Sequence, residues 1–164
     1  TSVLSSVTLP FVKILILHDI RSAYNVGAIF RTADGSGVDK IYISGYTPRP
    51  IDRFGRTQGE IEKTSLGASL TVPWEDVSSV IELIKKLQNE GIKIVAVEQM
   101  ENSIPLSSLP NYENKAFILG NEVEGVAKEA LELADVIVEI PMLGQKESLN
   151  VSVAAGIILY HDLV

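Results

Sequence analysis

Short apolar runs alternate with amphipathic stretches along the chain, and most runs are followed by polar residues and glycine. Residues 1–10 are rich in Ser and Thr without period and read as a loose lead-in, while residues 11–164 read as one domain. Val12-Lys13-Ile14-Leu15-Ile16-Leu17 is rich in β-branched residues and predicts a buried strand. A helix is predicted from about Tyr24 to Asp34, with Val26, Ile29, Phe30 and Ala33 on one face and Gly35 and Gly37 ending it. Lys40 to Ser44 predicts the next strand. Residues 45–64 carry Gly, Pro and charge without period and predict a long loop, of the kind that is usually functional or mobile.

The spacing of Val77, Val80, Ile81, Ile84 and Leu87 predicts a helix over 75–90. Glu75 and Asp76 fall in its first turn, Lys85 and Lys86 in its last, and Gly91 follows. Strands are predicted at Ile92–Val97, Ala116–Leu119 and Val136–Ile140, with helices near Gly125–Ala134 and from Ser148 to Leu163. Strands alternating with helices predict an α/β fold: a mostly parallel sheet with helices on both faces.

Composition narrows the chemistry. There is no Cys, which excludes a disulfide framework and a thiolate metal site and suits a reducing cytoplasm. Only His18 and His161 supply imidazole, and neither belongs to a metal-spacing motif, so no metal is expected. No apolar run reaches the roughly 20 residues of a membrane span, and the N-terminus lacks a signal-peptide pattern. The net charge of −7 argues against strong nonspecific nucleic-acid binding. The charge is uneven, however: residues 1–63 hold eight Lys/Arg against six Asp/Glu, and residues 64–164 hold six against fifteen. Nucleic acid, if bound, is expected on the first third.

Three segments place polar residues and glycines just after a strand, where open α/β sheets bind ligands. The first is Asn25-Val26-Gly27-Ala28-Ile29-Phe30-Arg31. Asn25 and Arg31 are about 600° apart on a helix, so they do not share a face; Asn25 acts from the helix start and Arg31 from its body. Gly27 allows another backbone to come close. An Arg in such a helix is also, and ordinarily, a solvated or ion-paired side chain. The second is Leu119-Gly120-Asn121-Glu122-Val123-Glu124-Gly125. It is neither a P-loop nor a dinucleotide fingerprint, because Val126-Ala127 replace Lys-Ser/Thr. Glu122 and Glu124 sit badly beside phosphates and favour a cationic or neutral ligand; an ordinary Gly-bounded turn is the plainer reading. The third runs from Ile140-Pro141-Met142 through Gly144 to Ser148-Leu149-Asn150-Val151 and Ala154-Ala155-Gly156. Ser148 is placed to cap a helix, and the small residues permit close packing.

Together and in this order, the three segments resemble the signature motifs of the SpoU/TrmH family of SPOUT RNA methyltransferases. The matching residues are Asn25, Gly27 and Arg31; Leu119, Gly120, Asn121, Glu122 and Gly125; and Ile140, Pro141, Met142, Gly144, Ser148, Leu149, Asn150 and Val151. They span about residues 14–160, nearly the whole chain, and the chain looks like the minimal, single-domain members.

The resemblance implies a parallel α/β domain with a C-terminal trefoil knot, S-adenosylmethionine as cofactor with S-adenosylhomocysteine as product, and a homodimer with the acceptor site near its interface. It implies transfer of a methyl group to a ribose 2′-hydroxyl of tRNA or rRNA. Arg31 then becomes the central catalytic residue with Asn25 beside it, and Glu122, Ser148 and Asn150 shape the acceptor site. Leu119, Gly120, Asn121, Ile140, Met142 and Leu149 fall to the cofactor pocket. Arg49, Arg53 and Arg56 of the long loop are expected to touch the RNA backbone. Two other readings stay open: a methyltransferase of the same fold acting on a base nitrogen, and a non-catalytic α/β cofactor-binding module.

Overall fold

The structure is a computed structural model, and it describes residues 11–164; the lead-in read at residues 1–10 lies outside them. Seven strands form one parallel sheet. They are β1 (Val12–His18), β2 (Lys40–Ser44), β3 (Trp74–Asp76), β4 (Lys93–Val97), β5 (Ile104–Pro105), β6 (Asn114–Leu119) and β7 (Val136–Glu139). Their spatial order is β3-β2-β1-β6-β4-β7-β5. Successive crossovers run outward from β1 in one direction as far as β3, and later strands fill the other side. The order therefore switches between β1 and β6.

Side-chain alternation divides the core in two, because successive strand residues face opposite sides. Leu15, Leu17, Ile41, Ile43, Phe117 and Leu119 pack against α1 (Ala23–Gly35), α3 (Ala68–Thr71) and α6 (Val151–Tyr160). Ile14, Ile16, Ile94, Ala96, Ala116 and Ile118 pack against α4 (Val80–Asn89) and α5 (Lys128–Leu133). Helices therefore cover both faces, which explains why the central strands read as continuous apolar runs. No helix among the described residues is long and apolar enough to cross a membrane.

The backbone of Ile61, in α2 (Gly59–Ser65), lies so close to Gly27 that a Cβ there would meet the Ile61 carbonyl oxygen at 2.8 Å. Gly27 thus serves the close approach read from its residue type.

Four boundaries differ from the sequence reading. The loop expected at 45–64 ends early, because Gln58 accepts from the Glu60 N–H and starts α2 at Gly59. Glu75 and Asp76 belong not to a helix but to β3, where Trp74–Asp76 complete the hydrogen bonding of β2 beside Ile41–Ile43. The helix begins after Ser79, whose side chain accepts from the Glu82 N–H. Gly125 does not open a helix: Asn121 and Gly125 exchange N–H···O bonds of 3.0 and 2.9 Å, and Gly125 has φ +76. The last helix is capped by Asn150, not Ser148, because the Asn150 side chain accepts from the Ser152 N–H at 2.8 Å.

Candidate functional site

A pocket of about 300 Å³ opens at the carboxyl ends of β4, β6 and β7. Three chain segments form its walls: residues 97–99, residues 119–125, and residues from 139 to 154. Leu119, Gly120, Asn121, Ile140, Met142 and Leu149, all assigned to a cofactor by resemblance, line it together with Glu122 and Ser148. The volume is at the lower end of small-molecule sites, roughly 300–1,000 Å³.

The charge of this pocket is one-sided. Glu98, Glu122, Glu124, Glu139 and Glu147 line it, with no Lys or Arg among the described residues. The apolar walls come from Val97, Leu119, Ile140, Met142, Leu149 and Val151. Such a site repels phosphate and favours a ligand that combines positive charge with a flat apolar body.

Local hydrogen bonding explains how the second segment holds its shape. Asn121 Oδ1 accepts from the Val123 and Glu124 N–H groups, both at 2.8 Å. Its Nδ2 donates to Asp19 O at 3.0 Å and to the Tyr46 hydroxyl at 2.7 Å. The Asn121 side chain is therefore fully engaged in building the turn. Gly120 is required because a Cβ there would run into the backbone of Gly125 and Val126. Glu98 Oε2 accepts from the Val126 N–H at 2.9 Å and pins the far side of the turn. Sequence reasoning missed Glu98; its signal was a polar residue directly after the apolar run 92–97.

Glu122 joins the pocket to the first segment. Its carboxylate accepts from the Arg21 N–H at 3.0 Å and from the Ser22 N–H at 3.2 Å, at the start of α1. Burial disfavours its charge, but these N–H donors and the Asn25 side chain outweigh that and hold its pKa below the ordinary glutamate value. Asn25 is buried, and its Oδ1 accepts from Asn150 Nδ2 at 3.3 Å. Asn25, Glu122 and Asn150 are thus brought together at one rim of the pocket.

Arg31 is not at that rim. It is exposed on α1 and lines a separate recess with Tyr24, Ala28, Thr32, Lys63 and Tyr160. It lies six residues beyond Asn25, roughly 9 Å along the helix axis. Its side chain makes no ion pair or hydrogen bond among the described residues. Of the three loop arginines, Arg49 donates to Asp76 at 2.6 Å and Arg56 to Asp52 at 2.8 Å, whereas Arg53 pairs with no carboxylate among the described residues.

A doubly wound parallel sheet, with a ligand-sized pocket beside the point where its strand order reverses, defines a ligand-binding α/β domain. The model of the SpoU rRNA Methylase family matches residues 13–160, and the chain belongs to that family. The 23S rRNA (guanosine-2′-O-)-methyltransferase RlmB of Neisseria meningitidis is 34% identical over 147 residues, covering 89% of this chain and 56% of that protein. The crystal structure of the TrmH/SpoU tRNA-modifying enzyme of A. aeolicus superposes with a TM-score of 0.80 at 29% identity, covering 93% of this chain and 76% of that one. An AdoMet-bound rRNA methyltransferase from Sinorhizobium meliloti superposes with a TM-score of 0.80 at 25% identity, covering 91% and 54%. The chain spans little more than half the length of the RlmB relative.

Proposed function

We propose that this chain carries an S-adenosylmethionine-dependent RNA methyltransferase activity directed at a ribose 2′-hydroxyl of tRNA or rRNA, in the cytoplasm. The observation that carries the reading is the pocket of five carboxylates and, among the described residues, no basic side chain, built from residues 97–99 with the second and third family segments. A sulfonium is a cation attached to an adenosine, and this pocket supplies negative charge and apolar walls for both parts. The names of the RlmB relative and the AdoMet-bound neighbour support the same chemistry.

Bound S-adenosylmethionine would supply an activated methyl group for in-line transfer to the ribose oxygen, leaving as S-adenosylhomocysteine while the hydroxyl proton passes to solvent. The protein's own task is positioning and proton management. Leu119, Ile140, Met142 and Leu149 would wall the adenine, and Gly120 keeps the turn beside them closed by letting the Gly125 and Val126 backbone come close. Glu122 stays anionic and fixes the start of α1, which in turn sets Asn25 against Asn150. Arg31 offers N–H donors and no acceptor; its role is to hold an RNA phosphate through paired N–H donors and align the hydroxyl. Ser148 stands on the pocket's loop, from which it would help shape the acceptor site.

Within one chain Arg31 and the pocket are apart, so the reading includes the homodimer that the resemblance implies. Its support is an apolar strip beside Arg31: Tyr24, Val153, Ile157 and Tyr160 are exposed on α1 and α6, and α6 is apolar on nearly every side. A second copy packed there buries this strip and completes the acceptor site. The reading also includes the implied knot.

Incubation with methyl-labelled S-adenosylmethionine and either tRNA or rRNA, followed by nucleoside identification, tests the proposal. A labelled 2′-O-methylnucleoside is the expected product; a base-methylated nucleoside or no transfer overturns the ribose assignment. Arg31→Ala should reduce turnover by at least about 100-fold, the scale of a lost transition-state contact, with S-adenosylhomocysteine affinity nearly unchanged.

A further inference from the structure

The long loop after β2 ends in a short, internally braced hairpin. Ile51 and Thr57 form an antiparallel bridge, and Asp52 and Arg56 are tied by an N–H···O bond of 2.9 Å. Asp52 Oδ1 accepts from the Phe54 and Arg56 N–H groups at 2.8 and 2.9 Å, and Gly55 makes the tight turn at φ +78. This bracing holds Phe54 outward, with 66% of its surface exposed. The guanidinium of Arg53 lies 4.8 Å from the ring centroid and that of Arg56 lies 5.0 Å away. A single exposed Phe is unremarkable. A rigidly presented ring with two guanidiniums over it is a different object, because its exposed surface suits a π-stacked partner whose backbone is anionic.

The root of the same loop points back to the pocket. Tyr46 is 57% exposed, and its hydroxyl is held by Asn121 Nδ2 at 2.7 Å, directly beside the pocket wall. Thr47 is buried and accepts from the Ile20 N–H at 3.0 Å, and Arg49 ties the loop to Asp76. β2 is parallel to β1 and β6, so the loop leaves the sheet at the edge where the pocket opens. The five pocket carboxylates disfavour a phosphate there, whereas Arg53 on the loop pairs with no carboxylate among the described residues and can take one.

We propose that Tyr46 and Phe54 are stacking platforms for nucleobases flanking the modified nucleotide, and that the ligand this loop takes is unpaired, single-stranded RNA. The inference rests on the RNA reading above and adds to it that the loop's contribution is chiefly stacking, with Arg53 and Arg56 beside the ring. Paired bases are already stacked on their neighbours and cannot cover a side-chain ring, so a duplex gains little from Phe54.

The test uses the full chain and a 12-nucleotide RNA with 2-aminopurine in place of one base, free and annealed to its complement. Phe54→Ala should weaken binding of the single strand by about 5- to 100-fold, from stacking of about 1–3 kcal/mol per base, and abolish aminopurine quenching. Its salt slope should match the wild type, since no charge is removed. Phe54→Trp should restore binding and Phe54→Leu should not, while duplex affinity stays the same in all. Equal single-strand affinity of Phe54→Ala and wild type, or full restoration by Leu, overturns the proposal. S-adenosylhomocysteine calorimetry and methyl transfer on the same preparations separate the two readings. Phe54-dependent binding without methyl transfer supports the platform and overturns the enzyme reading. Normal transfer with Phe54-independent binding does the reverse.

Discussion

Asn150 donates its side-chain N–H to the Asn25 carbonyl oxygen across 3.3 Å, joining residues 125 positions apart. The same Asn150 side chain accepts from the Ser152 N–H and starts α6. One amide therefore sets the helix and orients the buried Asn25 beside Glu122.

Asn150→Ala removes both functions. Loss of the cap should cost about 1 kcal/mol in urea unfolding, and methyl transfer should fall further than this stability loss explains. Asn150→Asp keeps the acceptor and should recover the stability but not the activity, since it cannot donate to Asn25.

Glu122 is ionised more easily in the folded chain than in the unfolded one, so its hydrogen bonds stabilise the fold at neutral pH. That contribution is present above the unfolded pKa and fades as pH falls through the folded one. Glu122→Gln should therefore lower the Tm at pH 7, and the difference from wild type should shrink steadily as pH falls below the ordinary glutamate range. Parallel melts of the two proteins across this range check the sign. A gap that widens in acid contradicts it.

Asp162 is bonded by two buried lysines. Lys13 reaches it at 3.0 Å and Lys115 at 2.8 Å, with 7% and 4% of the respective lysines exposed. Burial works against its charge, but the bonds from Lys115 and Lys13 prevail and hold its pKa below the ordinary aspartate value. This anchors the chain end after α6 to the amino ends of β1 and β6. Asp162→Ala leaves two buried cations without a carboxylate and should cost about 3 kcal/mol. Denaturant unfolding measures this, and the loss should shrink in acid as wild-type Asp162 itself protonates.

Gly120→Ala places a methyl group against the backbone of Gly125 and Val126, which has no rotamer to yield. The strain should cost about 1–3 kcal/mol. It falls on the turn that walls the pocket, so calorimetry should show weakened S-adenosylhomocysteine binding. An alanine variant that binds normally removes the tight turn from the account.

The local pattern already carried much of this protein. Continuous apolar runs such as Ile14–Leu17 and Ala116–Leu119 are what two-sided burial requires, so the parallel sheet was legible, as were α1 and the three family segments. Edges and caps were less so. Trp74–Asp76 became a strand because β2 offered unpaired backbone groups, a long-range fact that helical spacing at Val77 and Val80 could not reveal. Asn150 outcompeted Ser148 as the cap because its position also meets Asn25. Only the tertiary structure gathered five carboxylates from three separated segments into one pocket, engaged the Asn121 side chain in the turn, and set Arg31 apart from the site its chain builds. Residue types and periods are properties of a segment. Charge accumulation, hydrogen-bond partnership and distance between motifs belong to the packed chain, and no local window contains them.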